Sequence, residues 1–266
     1  MSNVPSSLLS LVLAGLLTLA AYTDPWLVAA AVVVVQLLIA VAPAPVSVDR
    51  VVVPMVASIA GAGLVATALS MWPGTLDGAD GTSEKVFGHA DNGMLAAIMP
   101  AIVVGVFVTL ATQMLRTDGR PKLVSTASYA VALGVLAGLS IGWIGAVKSF
   151  GDAEVVAVGA AGVAVGVLVW LLPIDRWLCG SLAMVLGAVA GVAVVANVDT
   201  VMTWALGVAL GSTAALFAVF GQILGQSWAK GNSDPAARWG LPGALSVALA
   251  APVVYIAGQL IGASGF

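Results

Sequence analysis

The chain alternates between long apolar runs and short polar breaks. A transmembrane helix needs about 20 mostly apolar residues, and nine runs fit that length. This pattern predicts an all-α bundle that crosses a membrane about nine times within a single domain, residues 1–266. The predicted spans are 6–22, 26–43, 49–72, 93–115, 123–147, 154–173, 177–197, 200–226 and 239–262.

The first two runs are short and are separated only by Thr23-Asp24-Pro25. This spacing predicts a tight hairpin, and the alternative is a re-entrant or interfacial first segment. Pro54 and Pro100 fall inside apolar runs, where proline removes a backbone donor and can kink a helix. The longest polar connection, residues 73–92, is predicted to lie outside the cell.

Lys and Arg residues are concentrated in every second loop between the predicted spans. With the N-terminus in the cytoplasm and the C-terminus outside, seven fall on the cytoplasmic side and two on the external side. Cytoplasmic loops of membrane proteins carry such an excess of Lys and Arg, so this is the predicted orientation. The cytoplasmic set is Arg50, Arg116, Arg120, Lys122, Arg176, Lys230 and Arg238, and the external set is Lys85 and Lys148.

Composition supports a membrane protein over a soluble one. Hydrophobic residues make up 61% of the 266 residues and charged residues only 8%, whereas soluble domains carry about 25% charged residues. The net charge of −3 gives no basic surface for nucleic acid. The predicted setting is a bacterial plasma membrane, with the lipid bilayer and other membrane proteins as partners.

Neither a metal site nor a cofactor is predicted. The single Cys179 permits no intramolecular disulfide, and the single His89 lies in the polar loop 73–92. Four acidic residues of that loop match no calcium-binding spacing. We interpret them as a solvated surface.

Small residues recur four apart along the later runs, as in Gly134/Gly138/Gly142. Such spacing lets helix backbones approach closely in lipid, so these runs are predicted to form a tight bundle. Other pairs with this spacing are Gly162/Gly166, Gly187/Gly191, Gly207/Gly211, Gly221/Gly225 and Gly258/Gly262. The tryptophans near predicted span ends are interpreted as interfacial anchors: Trp26, Trp72, Trp143, Trp170, Trp177, Trp228 and Trp239.

No ionisable residue lies in the middle of a predicted span, which argues against a proton-coupled pump with an embedded carboxylate. Three uncharged amides do lie within spans: Gln36, Gln222 and Gln226. We predict these as substrate-binding residues, with Gln36 first because a central amide in a run of Val and Leu needs a partner. The alternative is hydrogen bonding between helices alone.

Basic residues at the predicted cytoplasmic face are candidates for contact with lipid headgroups: Arg116, Arg120, Lys122 and Lys230. The alternative for the turn 116–122 is a topology anchor without a ligand.

The C-terminal quarter contains Phe220–Ser227, then Lys230, Asp234 and Pro242-Gly243 before the last apolar run. Over about 40 residues this stretch resembles the end of the phosphatidate cytidylyltransferases (CDP-diacylglycerol synthases). The resemblance implies a Mg²⁺-dependent reaction at the cytoplasmic face that uses Lys230 and Asp234. The chain departs from the family at Gly231, where the family has Arg, and at Ala244, where it has His, and no Asp-Arg-x-Asp sequence follows.

Two functional hypotheses follow. The first is a non-enzymatic membrane protein: a permease-like or lipid-handling bundle, or an accessory subunit of a membrane complex. The alternative is a lipid-modifying enzyme of the CDP-diacylglycerol synthase type. The missing acidic residues weigh against the second, because phosphoryl chemistry requires well-held metal.

Overall fold

The computed structural model describes residues 4–42, 52–71, 94–116, 122–148, 152–198, 202–232, 234 and 236–263. All regular elements within these ranges are helical, which confirms the all-α prediction. The helices are α1 Val4–Ala21, α2 Pro25–Ala40, α3 Val52–Met71, α4 Met94–Met114, α5 Leu123–Leu139, α6 Gly142–Val147, α7 Asp152–Trp170, α8 Arg176–Asn197, α9 Trp204–Ala229 and α10 Leu241–Ala263, with a π-helical turn Ala236–Gly240 before α10.

Seven of these segments are long and apolar enough to cross a membrane: α1, α4, α5 with α6, α7, α8, α9, and the π turn with α10. Two further apolar segments, Pro25–Ala40 and Met55–Met71, are shorter. At 1.5 Å per residue, the 16 residues of α2 span about 24 Å, below the roughly 30 Å of a hydrocarbon core. The predicted external loop 73–92, with His89, lies outside the described residues.

The first two helices form the predicted tight hairpin. The carboxylate of Asp24 accepts a hydrogen bond from the backbone N–H of Trp26 at 2.7 Å. Pro25 begins α2, where its missing N–H would have had no helical partner. The turn therefore needs only three residues, Tyr22 to Asp24, and α1 packs directly against α2.

Helix α9 is the centre of the later half, because α7, α8 and α10 all pack on it. The contacts run through glycines. A Cβ added at Gly162 of α7 would lie 2.9 Å from the Ala214 Cβ, and one at Gly187 of α8 would lie 2.6 Å from the Ala215 Cβ. A Cβ at Gly225 of α9 would lie 2.7 Å from the Pro242 nitrogen of α10. The predicted close packing of small residues is confirmed at these helices.

Helices α4 and α8 lie at the periphery. On α4, large apolar side chains three or four residues apart are exposed, among them Met99, Val103 and Phe107. On α8, Trp177, Val185 and Val189 are similarly exposed. Such faces are stable against lipid and not against water, which agrees with a membrane protein.

The tryptophans divide into two groups. Trp26 and Trp177 are 65% and 86% exposed, as expected of interfacial anchors. Trp143, in contrast, is fully buried, and Trp170 is buried at the end of α7. The prediction that Trp143 anchors the chain at the headgroups is wrong, because its indole Nε1 donates to the carbonyl oxygen of Val247 at 3.0 Å inside the bundle.

Candidate functional site

The predicted fifth span, 123–147, is interrupted inside the bundle. Helix α5 ends at Leu139 and α6 begins at Gly142. Between them the backbone N–H groups of Ser140 and Ile141 bond to carbonyls three residues back, Ala137 and Gly138, each at 3.3 Å. The two helices together, Leu123–Val147, are long enough to cross a membrane, so the predicted span 123–147 keeps its bounds but consists of two helices.

Local chemistry explains the interruption. The Ser140 hydroxyl donates to the Ala137 carbonyl at 2.6 Å, a side-chain bond that competes with regular helical bonding. Gly138 and Gly142 flank the turn, and glycine lowers the cost of leaving helical geometry. The glycine spacing in the sequence predicts a packing face and gives no indication of this turn.

Gln36 of α2 reaches this interruption. The side chain is fully buried, and its Nε2 donates to the Thr67 hydroxyl of α3 at 2.9 Å. The same nitrogen lies 3.3 Å from the Ala137 carbonyl and 3.3 Å from the Ser140 hydroxyl. The Thr67 hydroxyl in turn lies 3.2 Å from Gln36 Oε1, the acceptor for its proton. The amide has the partners that its position demands, and it links α2 and α3 to the interruption.

Helix α3 approaches this amide closely through a glycine. A Cβ at Gly63 would lie 2.9 Å from the Gln36 Cδ, so no larger residue fits there without moving the amide. The substrate-binding role of Gln36 stays a prediction.

The other side of the interruption faces a proline in α10. A Cβ added at Gly142 would lie on the Ala251 carbonyl and 3.1 Å from the Pro252 nitrogen. Pro252 lies inside α10 and lacks the N–H that would otherwise bond to the carbonyl four residues earlier. Two segments with irregular backbone bonding therefore meet in the bundle interior.

A second set of buried polar side chains lies on α1, α9 and α10, which Ser10 connects through hydrogen bonds. We call it the serine cluster; it comprises the buried residues Ser6, Ser7 and Ser10 of α1, Gln222 of α9 and Ser246 of α10. Gln222 Nε2 donates to the Ser10 hydroxyl at 3.1 Å. The Ser10 hydroxyl lies 3.0 Å from the Gly243 carbonyl and 3.1 Å from the Ser6 carbonyl, so it can donate to either.

The serine cluster contains two buried atoms without a hydrogen-bond partner among the described residues: the Ser7 Oγ and the Gln222 Oε1. Sequence reasoning selected Gln222 but missed the serines, which fall at the start of the predicted first span, 6–22. Their spacing of three and four residues, which places them on one side of a helix, is the signal that would have found them.

The remaining predicted site residues lie apart from these clusters. Gln226 is half-buried, one turn after Gln222. Arg116 is half-buried and donates from Nη1 to the Gln113 Oε1 at 2.9 Å. Lys122 and Lys230 are exposed, as headgroup contact would require, and Arg120 lies outside the described residues.

No protein-family model, curated protein or solved structure matches the chain. The resemblance to phosphatidate cytidylyltransferases stays a prediction. In the described part of the turn that carries it, Asp234 is exposed, and its backbone N–H bonds to the Asn232 side chain at 3.0 Å.

The interior chemistry of the described helices is polar but uncharged. No Asp, Glu, Lys or Arg belongs to the buried residues of these ranges, and no three His, Cys, Asp or Glu side chains converge there as metal ligands would. The polar groups buried there include hydroxyls, primary amides, indole N–H groups and backbone carbonyls. These bind by hydrogen bonding.

Proposed function

We propose that this protein is a non-enzymatic, permease-like membrane protein that handles small uncharged polar solutes. It crosses the bacterial plasma membrane nine times, with its N-terminus in the cytoplasm and its C-terminus outside. The excess of basic residues on one set of connections supports this orientation. Helix α3 has 20 residues, about the length that a span needs, and the shorter α2 completes nine spans if the bilayer thins locally or flanking residues extend it.

The observation that carries the proposal is the interruption of the fifth span between Leu139 and Gly142. Broken helices at membrane depth occur where backbone is enclosed by protein or lines a cavity, and transporters build substrate sites from such segments. Here the carbonyl of Ala137 accepts from Ser140 of its own span and also from a side chain of another helix, Gln36, at 3.3 Å. A bond of this kind can be exchanged for one to a solute.

The chemistry of the interior selects the solute class. A charged solute would lose its hydration without gaining an opposite charge from the buried described residues. A neutral molecule with hydroxyl or amide groups would exchange hydrogen bonds with water for bonds to groups such as Gln36 and Ser140. We therefore expect selectivity for neutral solutes.

Osmotic re-swelling of proteoliposomes tests the proposal. After a shift into glycerol or urea, vesicles with the protein should re-swell faster than protein-free vesicles, and vesicles in a sodium salt should not. Gln36→Leu should reduce this rate because the amide that holds the interruption is gone. The matched control is Leu37→Ala, the next residue, whose side chain is exposed on the same helix.

Re-swelling equal to that of protein-free vesicles for every neutral solute would refute the permease-like role and favour an accessory subunit. Product formed from CTP, phosphatidic acid and Mg²⁺ by the purified protein would instead support the lipid-modifying alternative.

Cysteine labelling tests the number of spans and the orientation. In a Cys179→Ala background, Thr23→Cys in the exposed α1–α2 turn should react with a membrane-impermeant maleimide added to intact cells. Ile174→Cys, in the turn between α7 and α8, is the opposite-face control and should react only after lysis. Labelling of Thr23→Cys only after lysis would contradict the proposed topology: with Ile174→Cys labelled in intact cells it would show an inverted orientation, and with Ile174→Cys protected it would show that α1 does not cross.

A further inference from the structure

We infer that the serine cluster between α1, α9 and α10 is a binding site for a small neutral molecule that donates a hydrogen bond, either water or a solute with a hydroxyl or amide N–H. The site is separate from the interruption at Ser140. That the bound molecule is the transported solute rests on the proposed function; the existence of the site does not.

The primary evidence is the unpaired oxygen of Gln222. The side chain is fully buried, its Nε2 is bonded to the Ser10 hydroxyl, and its Oε1 has no partner in the described part of the chain. Buried polar atoms in folded proteins are nearly always hydrogen-bonded, to protein or to an ordered molecule. An amide oxygen only accepts, so the missing partner is a donor.

The orientation of the amide is set by its neighbours. The Ser10 hydroxyl has two carbonyls within 3.1 Å, those of Gly243 and Ser6, to which it can give its single proton. Its lone pairs are then free to accept from Gln222 Nε2. If the Gln222 amide were rotated by 180°, its oxygen would accept from Ser10 and its nitrogen would have no partner. In either orientation, one polar atom of the amide therefore lacks a hydrogen bond.

Ser7 is a second buried polar group without a partner. Its Oγ is fully buried and has no hydrogen-bond partner among the described residues. Ser7 precedes Ser10 by three residues on α1, a spacing that makes side chains neighbours on a helix surface. A hydroxyl both donates and accepts, so the inference makes Ser7 the group that a ligand bonded to Gln222 Oε1 would also contact.

The serines of the cluster lie near one end of the bundle. Ser6 and Ser7 are the third and fourth residues of α1, so they lie about one helical turn, roughly 5 Å, from its start. This end is the proposed cytoplasmic side. The absence of charge among the buried described residues favours a neutral ligand over a cation.

Thiol labelling of the intact protein tests this inference. Removing the only native cysteine by Cys179→Ala permits Ser7→Cys to be followed alone. Maleimides react with the thiolate, which forms in a wet site and is suppressed in an apolar one. We expect N-ethylmaleimide in membranes to label Ser7→Cys at least ~10-fold faster than a thiol at a dry position.

The matched dry position is Ala244→Cys on α10. Ala244 is fully buried. It follows Gly243, where an added Cβ would lie 3.0 Å from the Ser6 carbonyl. Ala244 and Ser7 therefore lie at a similar depth in the bundle. Equal, slow labelling of the two thiols would overturn the inference. Slower labelling of Ser7→Cys in glycerol would identify a solute site, and unchanged fast labelling would identify bound water; both support a donor-binding site.

A second measurement covers the case in which Ser7→Cys fails to fold. If the Gln222 oxygen is unpaired in a dry site, Gln222→Leu removes a costly group and raises the melting temperature of the purified protein. If a donor occupies the site, the same change lowers it. A higher melting temperature would therefore also overturn the inference. Neither measurement depends on solute crossing the membrane, so each can succeed where re-swelling fails.

Discussion

Gly191→Ala should destabilise the bundle more than any other single-methyl change on α8. The added Cβ would coincide with the carbonyl oxygen of Gly207 and lie 2.9 Å from its carbonyl carbon and 3.3 Å from the Gly211 Cα. These are backbone atoms of α9, so relief requires the two helices to separate. Overpacking of this kind typically costs about 1–3 kcal/mol, and we expect the upper end because no flexible side chain can yield.

Thermal unfolding in detergent, followed by size-exclusion chromatography, measures this effect. The control is Gly180→Ala on the same helix. A Cβ there would lie 3.7 Å from the Leu216 Cδ1, an ordinary van der Waals contact, and alanine gains about 0.5–1 kcal/mol over glycine within a helix. A Gly191→Ala protein as stable as Gly180→Ala would show that α8 and α9 are not packed as described.

Gly142→Ala should have the second large effect, at the interruption of the fifth span. A Cβ at Gly142 would lie on the Ala251 carbonyl, next to Pro252, and would push α6 away from α10. Trp143 would then lose its hydrogen bond to Val247. Together the overpacking and the lost bond predict about 2–4 kcal/mol of destabilisation.

The comparison is Gly138→Ala, one turn earlier in the same span. Although Gly138 is buried, an added Cβ would have no atom within 4 Å. We therefore expect a neutral or slightly stabilising change, measured as a melting temperature alongside Gly142→Ala. If Gly138→Ala melted at a lower temperature than Gly142→Ala, the result would contradict the structure, in which Gly142 contacts α10 and Gly138 does not.

Much of the fold was predictable because lipid imposes simple rules. Apolar length predicted the helices, and glycine spacing predicted a tight bundle in the later half, where α7, α8 and α10 pack closely on α9. The details that failed depend on tertiary contacts. A continuous apolar run, 123–147, gives no sign that Ser140 will bond to its own backbone, and Trp143 near a predicted end looks the same whether it faces headgroups or the core.

The candidate sites were predictable only in part, for the same reason. That Gln36 needs a partner follows from its sequence environment, but the partner atoms on Thr67 and Ala137 come from other helices. Gln222 was selectable as a buried amide. Its unpaired oxygen became visible only once the positions of Ser10 and α10 were known.

The bond from Ser10 to Gly243 joins residues 233 positions apart. A ribosome that adds about 5–20 residues per second needs roughly 10–50 s to make the chain between them. Throughout that interval α10 does not exist, and the carbonyl available to the Ser10 hydroxyl is that of Ser6 in its own helix, at 3.1 Å. The contact of α1 with α10 therefore forms late, although α1 can pack on α2 and α7 earlier, and a chain that stops before α10 leaves this contact unmade.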